Sequence, residues 1–184
     1  MARNPNARSR DMLISLAVIA IPILIIVALF TRTPSTDAEA VDVGPFLTRA
    51  GAESPYPVLV AEGLDDGWTP VRAAWAKKGQ QWITTDPALG NSWQIGYLSP
   101  DQIYYGVLQR DAAGADLIRS ATREGKEIGD PVSLAGREWL RYESKDARTR
   151  SLVNEAGDVT TVVSADDDFT RLEAFTSTLV EAAP

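Results

Sequence analysis

Nineteen consecutive residues without a charge, Met12 to Phe30 (MLISLAVIAIPILIIVALF), constrain this chain more than any other feature in it. At about 1.5 Å per residue a helix of that length spans roughly 28 Å, enough for the hydrocarbon core of a bilayer. Pro22 would break a helix in water; within a bilayer the freed carbonyl is satisfied locally, so at most a kink is expected. Arg3, Arg8 and Arg10 precede the run against the single acid Asp11, whereas Arg32 stands alone after it and is followed by Asp37, Glu39 and Asp42. The positive-inside bias therefore predicts a cytoplasmic N-terminus over residues 1–11, a single-pass transmembrane helix over 12–30, a tether over 31–40 and one extracytoplasmic domain over 41–184. The rival is a signal peptide cleaved after Ala40, since Ala38, Glu39 and Ala40 spell an A-x-A site. That site lies far beyond Phe30, and the run exceeds the usual apolar region of about 7 to 15 residues, so a retained anchor in the cell membrane is the expectation. The run holds no small-xxx-small pair, and self-association through it is not expected.

The chain has no histidine and no cysteine. That removes the commonest general base, the thiolate nucleophile and the best nitrogen and sulfur metal ligands, and it excludes Ser-His-Asp hydrolases, an acylated lipoprotein and any disulfide. Paired carboxylates, a Ser-Lys pair or an oxygen-only metal site remain available. Asp65 and Asp66 in EGLDDGW form the strongest carboxylate pair, although Asp-Asp-Gly is also ordinary turn composition. Asp166, Asp167 and Asp168 suit a helix start, where carboxylates cap amides and face the positive end of the dipole. No Ser-x-x-Lys motif or glycine-rich phosphate loop occurs, so no catalytic, cofactor-binding or metal residues are assigned and no cofactor is expected. Three of the 18 basic residues and one of the 25 acidic residues precede Phe30, leaving 15 against 24 beyond it. Nucleic acid is not an expected partner of so acidic a domain.

Periodicity predicts a short helix over 41–50, strands over 69–76 and 80–84, a hairpin of 92–98 with 102–109 turning at Ser99-Pro100-Asp101, and a helix over 111–123. Strands at 132–134, 137–142, 151–154 and 159–163 follow, then a helix opened by Ser164 and the three aspartates, with Phe169, Leu172, Phe175 and Leu179 at helical spacing. The expected architecture is α+β, an antiparallel sheet with helices packed on one face, and the element order suggests two similar halves of about 60 residues each.

Two stretches are candidate docking surfaces. In WQIGYLSPDQIYYGVLQ, residues 93–109, Trp93, Ile95 and Tyr97 share a face with Ile103, Tyr105 and Val107, as a core face requires. Tyr104 and Leu108 fall on the other face around Gly106, to be covered by another segment or left free to bind a partner. In REWLRYES, residues 137–144, a strand places Arg137, Trp139 and Arg141 together; on a solvent face they could clasp an anionic envelope component by charge and cation–π contact, or simply lie as guanidinium groups over a surface indole.

The stretch Arg10-Asp11-Met12 entering the apolar run, with SPYPVLVAEGLDDGW, WQIGYLSPDQIYYGVLQ, GREWLRYES and TTVVSADDDF, resembles a family of actinobacterial single-pass membrane proteins known only as domain of unknown function 4245. The resemblance covers nearly the whole chain and implies a retained anchor and an envelope-facing domain, with no activity or catalytic residues to carry over. The leading expectation is a non-enzymatic binding or accessory protein that meets an envelope protein or an anionic envelope component. The alternatives are a carboxylate-dependent cell-wall hydrolase or transferase using Asp65 and Asp66, and an accessory subunit of a membrane complex docking through Pro22 and its neighbours.

Overall fold

The computed structural model describes Ile14, residues 16–23, Val27, 39–83 and 85–182. It comprises two compact units, divided between Asp37 and Ala38. In the first, the described residues are helical, and no helix among the described residues is long and apolar enough to cross a membrane. The rest of the expected 12–30 span, and the tether apart from Glu39 and Ala40, lie outside the described residues.

The second unit is α+β and its sheets are antiparallel throughout. Helix α1 (Gly44–Glu53) starts with Pro45 in its first turn, where a missing amide is harmless, and stops where Ser54 precedes Pro55. Strands β1 (Leu59–Ala61), β2 (Thr69–Ala76), β3 (Ser92–Leu98) and β4 (Tyr104–Arg110) precede helix α2 (Gly114–Ala121). Strands β5 (Lys126–Glu127), β6 (Val132–Leu134), β7 (Arg137–Glu143), β8 (Arg150–Ala156) and β9 (Val159–Ala165) lead to helix α3 (Phe169–Ser177) and strand β10 (Leu179–Glu181). The main sheet runs β2-β3-β4-β9-β8-β7-β5, with β6 also on β7. Two meanders of three long strands each thus meet along β4 and β9.

Residues 80–83 are not a strand, and Thr84, the last residue of that expectation, lies outside the described residues. Gln81 makes only an isolated bridge to Pro87, whose ring nitrogen cannot continue a ladder, inside the long loop between β2 and β3. Leu179 leaves the helix and enters β10, a three-residue strand too short to register as alternation.

The helices occupy both faces of the sheet, which corrects the one-face expectation. On the first face Trp75, Trp93, Ile95, Tyr105, Val107, Leu152 and Val163 pack against Ala50 of α1, Leu172 and Phe175 of α3 and the β1–β10 ribbon. On the second, Val153 and Val162 meet Leu117 of α2, with Leu108, Ile118, Ala121 and Tyr142 around them. The register explains the division: Leu152 opposes Val163, while the next pair, Val153 and Val162, points the other way. Adjacent apolar pairs in β8 and β9 are the mark of strands covered on both sides.

The β1–β10 ribbon lies across the first face. The edge of β1 turned away from β10 is satisfied by sheet side chains: Leu59 N donates to Gln109 Oε1 at 2.6 Å, Trp93 Nε1 donates to Leu59 O at 2.9 Å, and Ala61 N donates to the Tyr97 hydroxyl at 3.0 Å.

On the second face Tyr104 lies flat across two facing glycines. Gly96 and Gly106 oppose one another in the ladder, and a Cβ on Gly96 would stand 2.2–2.5 Å from the Tyr104 ring and hydroxyl. The glycines therefore serve as the bed for an aromatic ring. Gly96→Ala should lift that ring into solvent at a cost of about 1 kcal/mol, and the cost should largely vanish in a Tyr104→Ala background. A double-mutant cycle by urea denaturation checks this, and additive penalties would refute the bed.

A candidate aromatic cleft at the chain-entry end

A cleft of about 340 Å³ lies where three segments of the second unit converge: the β1–β2 loop, the β3–β4 turn and α3. Each segment is shaped by local rules. Trp68 N donates to Asp65 O to close a turn over Asp65-Asp66-Gly67, with Gly67 at a positive φ of 101° that suits a residue lacking a side chain. The β3–β4 turn forms at Ser99-Pro100-Asp101 as its composition predicts, with Ser99 Oγ accepting from Ile103 N. Helix α3 is capped by Asp168, whose carboxylate accepts from Arg171 N at 2.9 Å.

The floor is aromatic. Trp68 stacks on Phe175 with ring centroids 5.3 Å apart and meets Tyr105 edge-on at 5.0 Å. Phe175 and Tyr105 are buried, whereas Trp68 is only half-buried and presents its indole to the cleft. One wall is a polar chain. The Tyr105 hydroxyl donates to Asp167 Oδ2 at 2.6 Å, and the Arg171 guanidinium bridges Asp101 at 3.0 Å and Asp167 at 3.6 Å. Asp167 and Asp101 hold the Arg171 pKa above its ordinary value. Asp65 lines the cleft on the opposite loop, exposed and without an ion pair or side-chain hydrogen bond among the described residues. No group of three potential metal-ligating side chains able to hold an ion occurs among the described residues.

Of the acids noted in the sequence, Asp65 and Asp167 line the cleft, whereas the five candidate docking residues fall elsewhere. Trp139 is fully buried in the first-face core and donates through Nε1 to Leu134 O, so the solvent-face arrangement expected around it does not form. Arg137 and Arg141 flank it as stitches: Arg137 pairs with Glu181 of β10 and Arg141 with Glu173 of α3, each at 2.7 Å. The cation–π contact of Arg141 is with Phe169, 6.0 Å from the ring centroid, and not with Trp139. Leu108 is covered by α2, while Tyr104 keeps 38 % of its surface exposed. None of these five lines the aromatic cleft. Trp68, Tyr105, Arg171 and Phe175 were not singled out as a site because they come from three segments far apart in sequence. The one local signal was the four-residue spacing of Asp167 and Arg171.

A family described as protein of unknown function (DUF4245) matches residues 5–179. The chain belongs to that family. None of the curated proteins matches this DUF4245 chain. Among solved structures it is similar to a chain of the Pseudomonas aeruginosa MucA/MucB complex, at 14 % identity and a TM-score of 0.36 over 70 % of this chain and 37 % of that one. It is similar also to a chain of the structure of MucB in complex with MucA(peri), at 15 % identity and a TM-score of 0.37 over 68 % and 37 %. The DUF4245 chain thus spans little more than a third of the solved chains it resembles.

All five tyrosines of this DUF4245 chain have phenol pKa values raised by burial, and Tyr105 is pushed further by the carboxylate of Asp167. A raised phenol favours the proton-bound folded state, so its contribution is fully present below the ordinary value of 10.0 and is lost as pH rises above it. In an alkaline titration, the phenolate absorbance of the buried Tyr56, Tyr97 and Tyr105 should appear together with loss of tryptophan signal. Phenolate forming while the fold is intact would contradict these environments.

Proposed function

We propose that this protein is a non-catalytic binding or accessory protein of the cell envelope, held to the membrane by residues 12–30 with its N-terminus cytoplasmic, and that the aromatic cleft is its binding site. The observation that carries the reading is the cleft itself: a preformed concavity with an aromatic floor beside a charged wall, of the size of ligand sites. Its wall carboxylates engage Arg171 and Tyr105 rather than facing an open reaction centre. The anchor rests on the uncharged run and the arginines before it, and on the exposed apolar side chains of the described helical residues, among them Ile14, Leu16, Val18 and Ile21. The cleft also lies where the chain enters the domain. Val41 N donates to Pro70 O, Pro70 opposes Tyr97, and the Ser99–Asp101 turn follows at once.

A carboxylate-dependent hydrolase or transferase is the second reading, favoured by one observation: Asp65 borders a cleft. Such chemistry needs two carboxyl groups flanking the scissile bond, and the two opposite Asp65 are tied to one guanidinium.

A photo-crosslinking residue at Leu64 of the full-length protein, irradiated in cells, should give a specific higher-mass adduct, with the same residue at Tyr104 giving none. External protease should digest the domain in intact spheroplasts. An adduct at Tyr104 alone would move the site to the second face, and protection of the domain from protease would refute its extracytoplasmic position.

A further inference from the structure

Charge bookkeeping around the cleft narrows what can sit there. Three carboxylates, Asp65, Asp101 and Asp167, and one guanidinium, Arg171, line it. Arg171 is already engaged by two of the three, so it offers little to an incoming anion, and the carboxylates around it repel one. Asp65 is the group left over: an exposed carboxylate without an ion pair among the described residues, on the same loop as a half-buried indole. That indole is held in place by Phe175 stacked at an interplanar angle of 23° and by Tyr105 at its edge. A fixed aromatic surface beside an unpaired carboxylate attracts a cation twice, through the ring quadrupole and through direct charge. Leu64 and Ala174 add apolar lining to the same cleft, which suits a hydrocarbon stem behind the charge.

We propose that the cleft binds an organic cation, an ammonium or guanidinium carried on an apolar stem, with Asp65 as its counter-ion and Trp68 as its platform. This rests on the binding reading above and gives that site its ligand chemistry. The cation can be a free amine or the lysine or arginine side chain of a polypeptide. The recognition is the same in both cases, because the cleft meets only the charged head and its stem.

The experiment uses the full-length protein in nanodiscs and follows the Trp68 indole resonance, assigned by its absence in Trp68→Phe. The probes are butylammonium, 1-butanol and butyrate, which share a stem and differ in charge, together with Nα-acetyl-lysine methylamide. Butylammonium should shift the Trp68 signal saturably and bind about tenfold tighter than butanol or butyrate. Asp65→Asn, a change on an exposed turn, should weaken butylammonium about threefold and leave butanol unchanged. The lysine derivative binding at least as tightly as butylammonium supports the proposal with a polypeptide as the source; butylammonium alone binding supports it with a free amine. Butanol or butyrate matching butylammonium, an unchanged affinity in Asp65→Asn, or no shift with either cation would overturn it. Membrane topology does not enter the titration, and an adduct formed through Leu64 would stand even if the cation preference failed, so the two proposals fall separately.

Discussion

A backbone edge laid on the face of a sheet is a costly arrangement, because every amide and carbonyl on it is removed from water. Strand β1 is in that position, paired to β10 on one side and resting on the main sheet on the other. What makes it stable is that Trp93, Tyr97 and Gln109, each projecting from the first face of β3 or β4, end in polar groups that reach the Leu59 and Ala61 backbone. Each satisfied bond is worth about 1 kcal/mol net, but leaving one buried partner orphaned costs about 1–3 kcal/mol, so the bonds matter more for what they prevent. The ribbon in turn covers the core, and β10 continues from α3, so the ribbon, the helix and the cleft between them share one support.

The strands were legible in the sequence wherever alternation and turn chemistry agreed, as in the β3–β4 hairpin around Pro100 and the β6–β7 turn at Ala135-Gly136. The two-sided covering of the sheet was less so. Val153 and Val162 look like simple extensions of an apolar strand, and only the pairing register reveals that they face α2 while their neighbours face α3. Short strands such as β1 and β10 give no periodic signal at all, since three residues cannot alternate visibly, and their existence depends on each other across more than a hundred residues of chain.

The candidate surfaces fared according to how local their logic was. The strand pattern correctly placed Arg137, Trp139 and Arg141 on a common face, but it could not say that β6, α3 and β10 would cover it. There the indole became core, and the arginines became ties to Glu181 and Glu173. Tyr104 was rightly set apart from the core tyrosines, yet its flat pose depends on two glycines meeting across a ladder. The cleft is the opposite case: Asp101, Trp68 and Arg171 are unremarkable one by one, Asp65 stood out only as half of an Asp-Asp pair, and their joint meaning comes from three segments meeting at one end of the sheet.

The seam between β4 and β9 has a kinetic consequence. As the chain emerges from synthesis, N-terminal segments before C-terminal ones, the β2-β3-β4 meander appears with one side of β4 unpaired, and β1 has no strand to pair with. Both wait for segments much later in the chain, β9 and then β10, which follows it by way of α3. Non-local pairings of this kind slow folding and leave an adhesive strand edge open in the interval. The domain therefore cannot mature piecewise as it is made. It closes in one late step, and a chain halted before β9 would present that open edge to whatever lies beside it.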